Sequence, residues 1–379
     1  MTEPAYPAAR AVAATIEAHF ARHLAAAREK GEDGLASQPD TQTIEEIIDA
    51  AFWASLRREE GYAPKISLAL LPPEQAGQPL MFEERLPLYP AALTRLAPAV
   101  ERPGIHLGVW RYEGQLFVWG TTRTIPGVSF VLEVVQPGLL VIKYRRGQES
   151  AKYVNIAVLE GDQIKVVDEQ GTSLPDCPDL LKSLLRFDAT TSGGDSVNVL
   201  VQLAVSMRAH GKGGLLLVVP DDAEEWRESI VHPILYSVSP SFSELAELMR
   251  QEPGERKKRL WREAFIDSVD AMAGLTAVDG ATIINDQYEL LAFGAKIARR
   301  KGSPQIEQVV LTEPIMDSVA TTASPTQLGG TRHLSAAQFV HDQRGSLALV
   351  ASQDGHFTVF AWSPCEEMVH AHRVEALLL

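Results

Sequence analysis

Cysteine is scarce in this sequence of 379 residues, and long apolar runs and an excess of positive charge are missing from it. Its two cysteines, Cys177 and Cys365, cannot build a disulfide framework or a cysteine metal cluster, which favours a reducing compartment. No stretch reaches the roughly 18 apolar residues of a membrane span, and the N-terminus lacks the apolar core of a signal peptide. The formal net charge of −14 argues against broad binding to DNA or anionic membranes. We therefore expect a cytoplasmic protein that binds neither.

The remaining composition, 45% hydrophobic and 22% charged, is typical of a globular protein long enough for two or three domains. Helical periodicity runs from Ala8 to Lys30, and the capping-box spacing of Thr43 and Glu46 predicts the start of a second helix. The apolar run KISLALLP, ended by two prolines, predicts a buried strand. Residues 1–105 are therefore predicted to form a helical region with one short strand.

Two further regions follow. The runs HLGVWRYEGQLFVWG, GVSFVLEVVQPGLLVIKY and YVNIAVLEGDQIKVV alternate strand-like segments with glycine turns, which predicts a β-rich module at 106–180. From residue 181, helical patterns such as RLWREAFIDSVDAMAGL alternate with apolar strands such as GLLLVV and TIIN. This alternation predicts a mixed α/β domain at 181–379, in which a mixed β-sheet is flanked by helices.

The stretch LGGTRHLSAAQFV places two glycines, a threonine, an arginine and a histidine directly before a helix-prone run. Unpaired N–H groups and the positive end of the dipole make a helix start a natural anion site. Glycines let the chain approach the anion closely, and an arginine adds a bidentate fork. The alternative is a plain turn followed by an N-cap.

The stretch VDGATII places Asp279, Gly280 and Ala281 at the mouth of an apolar strand. An aspartate there can hold a divalent cation or accept a proton from an attacking hydroxyl. The alternative is an ordinary turn aspartate.

Together, DGA opening a strand and GTRH opening a helix resemble the diadenylate cyclase domain, whose signatures are DGA and GTRHRAA. The strand GLLLVV, the helix before DGA and the strand pair in SLALVASQDGHFTVFAW match that domain in position. The resemblance covers residues 190 to 365 and implies a diadenylate-cyclase-like fold. In active cyclases, two such domains join two ATP molecules into cyclic di-AMP.

The resemblance also implies roles for individual residues. Asp279, Gly280 and Ala281 would lie beside the sugar, with Asp279 as a metal ligand and Mg²⁺ or Mn²⁺ accompanying a bound triphosphate. The phosphates would be held by the two glycines at the helix start and the three residues that follow them: Gly329, Gly330, Thr331, Arg332 and His333. Such an arrangement suits phosphoryl transfer, which depends on charge neutralisation and in-line positioning.

The sequence departs from the cyclase pattern at two places. Leu334 stands where the family motif has its second arginine. Ser352 and Gln353 stand where glutamates that support the metal are expected, and Asp354 replaces them only if the register slips. Because a lost arginine fork and a lost carboxylate weaken catalysis more than binding, the pattern favours a ligand sensor derived from a cyclase.

A wider resemblance agrees with this interpretation. The segments TIEEIIDAAFWASLRREEGYAPKISLALLPPE, HLGVWRYEGQLFVWG, VDGATII and GGTRH together resemble the bacterial probable sensor domain group DACNV. That resemblance implies a nucleotide or second-messenger sensor in signalling, a possible homodimer and an unidentified downstream effector. The alternatives are an active diadenylate cyclase that uses a divalent metal, and a scaffold whose pocket has filled with side chains.

Three other patterns have structural explanations. The pair His370 and His372 has metal-like spacing without a visible third ligand, so a surface pair is expected. The basic run 255–262 is expected to be the solvated face of a helix. Alternating residues of the β-rich module are expected to pack in a core or against another domain: His106, Trp110, Tyr112, Phe117 and Trp119.

Overall fold

The computed structural model describes residues 5–145, 153–168 and 198–379. The chain divides into two compact units, one of Met1–Val167 with Leu379 and one of Asp168–Leu378. Cys177 and the predicted boundary at residue 180 lie outside the described residues. Within the described ranges, no helix is both long and apolar enough to cross a membrane.

The first unit combines three helices with eight strands in its described part. In chain order these are α1 (Pro7–Glu29), α2 (Thr41–Ser55), β1 (Ile66–Leu70), β2 (Leu80–Pro87), α3 (Pro90–Leu96), β3 (His106–Tyr112), β4 (Gln115–Thr122), β5 (Phe130–Gln136), β6 (Leu139–Arg145), β7 (Tyr153–Glu160) and β8 (Gln163–Val166). The strands form one sheet in the order β2-β4-β3-β1-β5-β6-β7-β8, in which only β1 and β3 pair in parallel. The sheet therefore contains strands from both predicted regions, 1–105 and 106–180.

One face of this sheet carries the hydrophobic core. Alternate residues of β1, Ile66 and Leu68, pack with Ile16 and Phe20 of α1 and with the apolar side of α2. Burying such side chains stabilises the fold by about 25 cal/mol for each Å² of apolar surface removed from water. The two long helices are thus held on the sheet by the period of their apolar residues.

The start of α2 corrects the sequence prediction. The helix begins at Thr41, and Asp40 is its N-cap, with Oδ1 accepting the N–H of Thr43 at 2.8 Å and Oδ2 the hydroxyl of Thr43 at 2.7 Å. Thr43 was predicted to cap this helix. Aspartate caps equally well, and its carboxylate satisfies a donor one turn earlier in the chain.

The other face of the first sheet holds a polar network. The Oγ atom of Ser67 lies 2.7 Å from Nδ1 of His106, whose Nε2 lies 2.8 Å from the hydroxyl of Tyr153. Nearby, Lys143 and Glu133 form an ion pair of 2.5 Å. His106 is fully buried, and burial, with smaller effects of Lys143 and Arg145, lowers its pKa to about 4. Neutral His106 is therefore the form that this network stabilises.

The second unit alternates helices and strands in its described part. In chain order these are α4 (Val199–Ala209), β9 (Gly214–Val219), β10 (Tyr236–Phe242), α5 (Glu244–Arg250), α6 (Pro253–Arg256), α7 (Arg259–Leu275), β11 (Ala281–Asn285), β12 (Leu290–Ala295), β13 (Val309–Thr312), β14 (Thr321–Ala323), α8 (Pro325–Asp342), β15 (Leu347–Ala351), β16 (Phe357–Ser363), β17 (Met368–Arg373) and α9 (Glu375–Leu378). The strand order is β10-β12-β11-β9-β15-β16-β17-β13-β14. The pairs β9 with β11 and β13 with β17 are parallel, and the others are antiparallel.

Helices cover both faces of this second sheet. Leu216 and Val218 of β9 pack in a core with α4 and α7, whereas Leu215 and Leu217 pack in a separate core with α8. Because neighbouring residues of a strand point to opposite faces, the continuous apolar run GLLLVV is what a strand buried on both sides requires. The predicted fold class, a mixed sheet flanked by helices after a helical and β-rich region, is confirmed.

Candidate functional site

The candidate site lies at one edge of the second sheet. Strands β9 and β11 are parallel, so Gly213 and Gly280, which precede them, lie at the same edge. Ala351, the last residue of antiparallel β15, pairs with Gly214 and reaches this edge from the other direction. The topology therefore brings together the loops before β9, before β11 and after β15, which are far apart in sequence.

Asp279 projects into solvent at this edge and forms an ion pair with Lys296. Its side chain is 92% exposed, and Oδ2 lies 2.5 Å from Nζ of Lys296. The hydrogen bond and charge of Lys296 lower the pKa of Asp279, and the charge of Arg332 lowers it further. Asp279 is therefore ionised at neutral pH and lies within the electrostatic reach of the arginine that the sequence motif paired with it.

Gly280 permits a close approach of two strand ends. A Cβ atom added there would lie 2.5 Å from the carbonyl carbon of Gly294, and a backbone atom cannot move aside as a flexible side chain can. Ala281, which follows, is fully buried as the first residue of β11 and pairs with Ala295. The glycine and alanine of DGA thus allow the backbones of β11 and β12 to approach closely, while its aspartate is exposed.

The stretch Leu328–Val340 begins a helix at a break, as the sequence predicted. Gly329 and Gly330 have non-helical backbone angles inside α8, and the regular helix resumes at Thr331. A helix start of this kind has N–H groups without intrahelical acceptors. The exposed glycine pair therefore leaves the N-terminus of the longer helical segment open to solvent.

Arg332 lies in the first turn of this helical segment, and its side chain reaches the loop before β9. A Cβ atom added to Gly213 would lie 2.6 Å from Nη1 of Arg332 and 3.3 Å from Cγ of Gln353, so all three residues are neighbours. The side chain is partly exposed, and among the described residues no carboxylate forms an ion pair with it. Its hydrogen-bond donors are thus available to an anion from solvent.

His333 turns the other way, into the core. Its side chain is 1% exposed, its Nδ1 lies 2.8 Å from the Gly329 carbonyl oxygen, and its Nε2 lies 3.4 Å from the hydroxyl of Thr358. Burial is the largest effect on its pKa and lowers it. The resemblance implied direct phosphate contact by His333. The imidazole instead fixes the glycine loop from beneath, because both ring nitrogens face protein atoms.

The positions at which the sequence departs from the cyclase pattern also lie at or near this edge. Leu334 packs partly against the core under α8. Gln353 is exposed after β15, and its amide donates to the Lys212 carbonyl at 3.3 Å. These two positions therefore supply an apolar contact and an amide where the cyclase pattern has an arginine and a carboxylate.

A divalent metal does not fit this donor set. Hard cations such as Mg²⁺ and Mn²⁺ need several oxygen ligands, usually including carboxylates. Here Asp279 is the one predicted ligand, and it is paired with Lys296. No group of three or more histidine, cysteine, aspartate or glutamate residues in the described ranges is arranged to hold a metal ion.

A cleft of about 690 Å³ lies at the other end of α8, remote from the Asp279 edge. Its lining comes from the residues after β9, from those after β12 and from the end of α8, including Trp226, Arg300, His341 and Arg344. The guanidinium of Arg344 lies 3.9 Å from the ring centroid of Trp362. A cleft of this volume is large enough for a small molecule, so a binding experiment on this unit needs a control variant at this cleft.

Two of the remaining patterns are now located. His370 and His372 were expected at the surface, but both are buried on β17, because this strand pairs with a neighbour on each side. Nε2 of His370 contacts the Glu366 carboxylate, and Nδ1 of His372 contacts the hydroxyl of Thr312. Most charged residues of the basic run are exposed, but the run spans the end of α6 and the start of α7 and is not the face of one helix; Lys258 is paired to Glu255.

One comparison with known proteins concerns the first unit. Residues 33–123 match the family model of the probable sensor domain DACNV. This segment is therefore similar to that family. The DACNV match ends before residue 279, so it contains none of the residues at the candidate site. No curated protein matches the chain.

Among solved structures, a hypothetical membrane spanning protein from Bacillus cereus is 12% identical and has a TM-score of 0.27, covering 49% of this chain and 67% of its own. A double mutant of DacA from Staphylococcus aureus is 13% identical and has a TM-score of 0.24, covering 50% of this chain and 86% of its own. Both TM-scores are below 0.5, so neither structure bears on the function of the second unit.

Sequence reasoning missed Lys296 and Gly213 at this edge. Lys296 follows β12 directly, and the pairing of β12 with β11 places it beside Asp279. Gly213 precedes β9 in the run HGKGG. Both signals were visible as a lysine and a glycine at strand ends, but the pairing of those strands was needed to connect them with Asp279 and Arg332.

Proposed function

We propose that the second unit is a nucleotide-binding sensor whose ligand lies at the sheet edge between Asp279 and Arg332. The observation that carries the proposal is Arg332, a partly exposed arginine beside an open helix start, with no carboxylate paired to it among the described residues. An unpaired arginine and free N–H groups at a helix start together favour a phosphate or another anion. The ligand would be a nucleotide or a nucleotide second messenger.

Each part of the edge has a role in this proposal. Arg332 and the N–H groups at Thr331 hold phosphate, Gly329 and Gly330 allow the phosphate to approach the backbone, and His333 keeps the glycine loop in place through the Gly329 carbonyl. The sugar lies beside Asp279, Gly280 and Ala281. The ligand is thereby held mainly by charge and backbone donors, which suits a phosphate group more than an uncharged molecule.

A sensor suits these residues better than a cyclase. Phosphoryl transfer requires neutralisation of charge on the transferred group, commonly by metal ions and several basic residues. At this edge the predicted metal ligand is paired with Lys296, and Leu334 offers an apolar side chain in place of a second arginine. The remaining groups are sufficient for recognition, so binding without turnover is expected.

Isothermal titration calorimetry of the full chain against ATP and cyclic di-AMP tests the proposal. We expect Arg332→Ala to weaken binding about 10- to 100-fold, the equivalent of one lost charge-assisted contact of 1.5–3 kcal/mol. Arg344→Ala, at the cleft beyond the far end of α8, is the matched control and should leave the affinity unchanged. Absence of binding by a folded sample, or a loss caused by Arg344→Ala and not by Arg332→Ala, rejects the proposed site.

Turnover is tested separately by incubating the chain with ATP and Mn²⁺ and separating the products by chromatography. We expect ATP to be recovered intact. A cyclic dinucleotide product that disappears in Asp279→Asn would replace the sensor by a diadenylate cyclase.

A further inference from the structure

We propose that Lys296 occupies the place of a divalent cation at Asp279, so that the anion site binds its ligand without metal. This inference rests on the proposed function and concerns how the same site is charged. Lys296 has no counterpart in the motifs that suggested the site, and its role follows from strand pairing.

The strand register places the two charges together. Ala295, the last residue of β12, pairs with Ala281, the first residue of β11, so Lys296 and Asp279 extend from adjacent strand ends. The close approach of Gly280 to Gly294 keeps these ends together. The contact of 2.5 Å between Nζ and Oδ2 is therefore favoured by the backbone and does not depend on two long side chains meeting by chance.

A metal ion and Lys296 would compete for the same carboxylate. Metal ions of this class bind several oxygen atoms at 2.0–2.6 Å, and a lysine ammonium within 2.5 Å of the carboxylate adds repulsion to any cation there. Gln353, two residues after β15, offers no carboxylate in compensation, because it presents an amide and donates it to the Lys212 carbonyl. The local charge of Asp279, Lys296 and Arg332 is +1, which attracts an anion and disfavours a divalent cation.

The lysine can serve Asp279 and a ligand at the same time. Its ammonium has three donors, of which Asp279 occupies one, and its side chain is 55% exposed. Because an exposed ion pair is weak on its own, an incoming phosphate can share the ammonium at little cost. Lys296 and Arg332 would then contact the phosphates from two sides, one from β12 and one from α8.

Calorimetry with ATP and with cyclic di-AMP, each in EDTA and in excess Mg²⁺, tests this inference. We expect the affinity of the unmodified chain to differ less than threefold between the two buffers. Lys296→Met should weaken binding in EDTA by tenfold or more, whereas Lys301→Met, which removes an exposed lysine five positions further along, should have no effect.

The outcomes separate this inference from the proposed function. Binding that is lost in EDTA and restored by Mg²⁺, or Lys296→Met binding as tightly as the unmodified chain, overturns the role of Lys296 and leaves the sensor proposal in place. Absence of binding in both buffers rejects the sensor proposal itself.

Discussion

The guanidinium of Arg332 lies directly over Gly213, where an added Cβ atom would come within 2.6 Å of Nη1. A methyl group there must displace the arginine, so Gly213→Ala is expected to weaken nucleotide binding severalfold without touching a charge. Gly211→Ala is the matched control, because Gly211 also has a positive φ, +63° against +72°, but no atom within 4 Å of its added Cβ. Both variants should lose about 1 kcal/mol of folding stability from backbone strain. Equal ligand affinities in a titration of the two would contradict the placement of Arg332.

His333 is buried and its neighbour Arg332 is partly exposed, so we expect their substitution to affect folding stability to different extents. His333→Ala removes a buried ring that contacts the Gly329 carbonyl and packs against Phe360. We expect a loss of about 2–4 kcal/mol in unfolding free energy, since a cavity and an unpaired carbonyl are created together. Arg332→Ala, at a partly exposed position, should change stability by less than about 0.5 kcal/mol. Urea denaturation of both variants checks the contrast, and a small effect of His333→Ala would place the ring outside the core.

The stability of the first unit should fall in mild acid because of His106. Its folded pKa is about 4, below an unfolded value of about 6.5, so the unfolded chain takes up the proton first. This contribution is therefore fully present above about pH 6.5 and decreases towards pH 4, with about 2 kcal/mol lost between pH 7 and pH 5.

His106→Gln tests this, because glutamine cannot be protonated in this range. The variant should be less stable at pH 7, where it lacks the contacts to Ser67 and Tyr153, and should lose less stability on going to pH 5. The comparison uses urea midpoints at the two pH values. The same loss in both proteins would show that other groups cause the acid sensitivity.

Lys143 and Glu133 form a largely buried ion pair whose two members depend on each other. Lys143→Met leaves the Glu133 carboxylate without its cation, and we expect a loss of about 2–3 kcal/mol, somewhat below the 3–5 kcal/mol of a fully buried pair. Adding Glu133→Leu removes the orphaned charge and should recover most of that loss. A double-mutant cycle of unfolding free energies measures the coupling, and additive effects would mean that the two charges act independently.

Much of the second unit was predictable because its central elements have strong patterns. The apolar run before Pro220 predicted a strand buried on both faces, and the amphipathic pattern of α7 predicted a helix that covers it. Two edge strands were missed, β2 in the first sheet and β10 in the second. Exposed strands need no apolar pattern, and β10 also contains Pro240. In the first unit, the pairing of β1 with β3 and β5 joins segments on both sides of residue 105, and such long-range pairing leaves no local signal.

The residues of the candidate site also divide into those that the sequence predicted and those that it did not. The order DGA then GTRH indicated Asp279 and Arg332, and the structure places them within electrostatic reach of each other. The direction in which His333 points was not predictable from the motif. Successive residues of a helix lie about 100° apart around the axis, and the motif does not show which side of the helix faces the core. Lys296 was hidden for another reason, because its importance depends on which strands are neighbours.

Pro240 also bears on how copies of this chain can associate. Strand β10 ends the nine-stranded sheet, and a strand at a sheet edge ordinarily offers a row of N–H donors to another chain. Proline has no such donor, and the register of β10 against β12 shifts between Ser237 and Phe242, which interrupts the row further. A second copy therefore cannot extend the sheet smoothly along β10, so a homodimer is not expected to form a continuous intermolecular β-sheet at this edge.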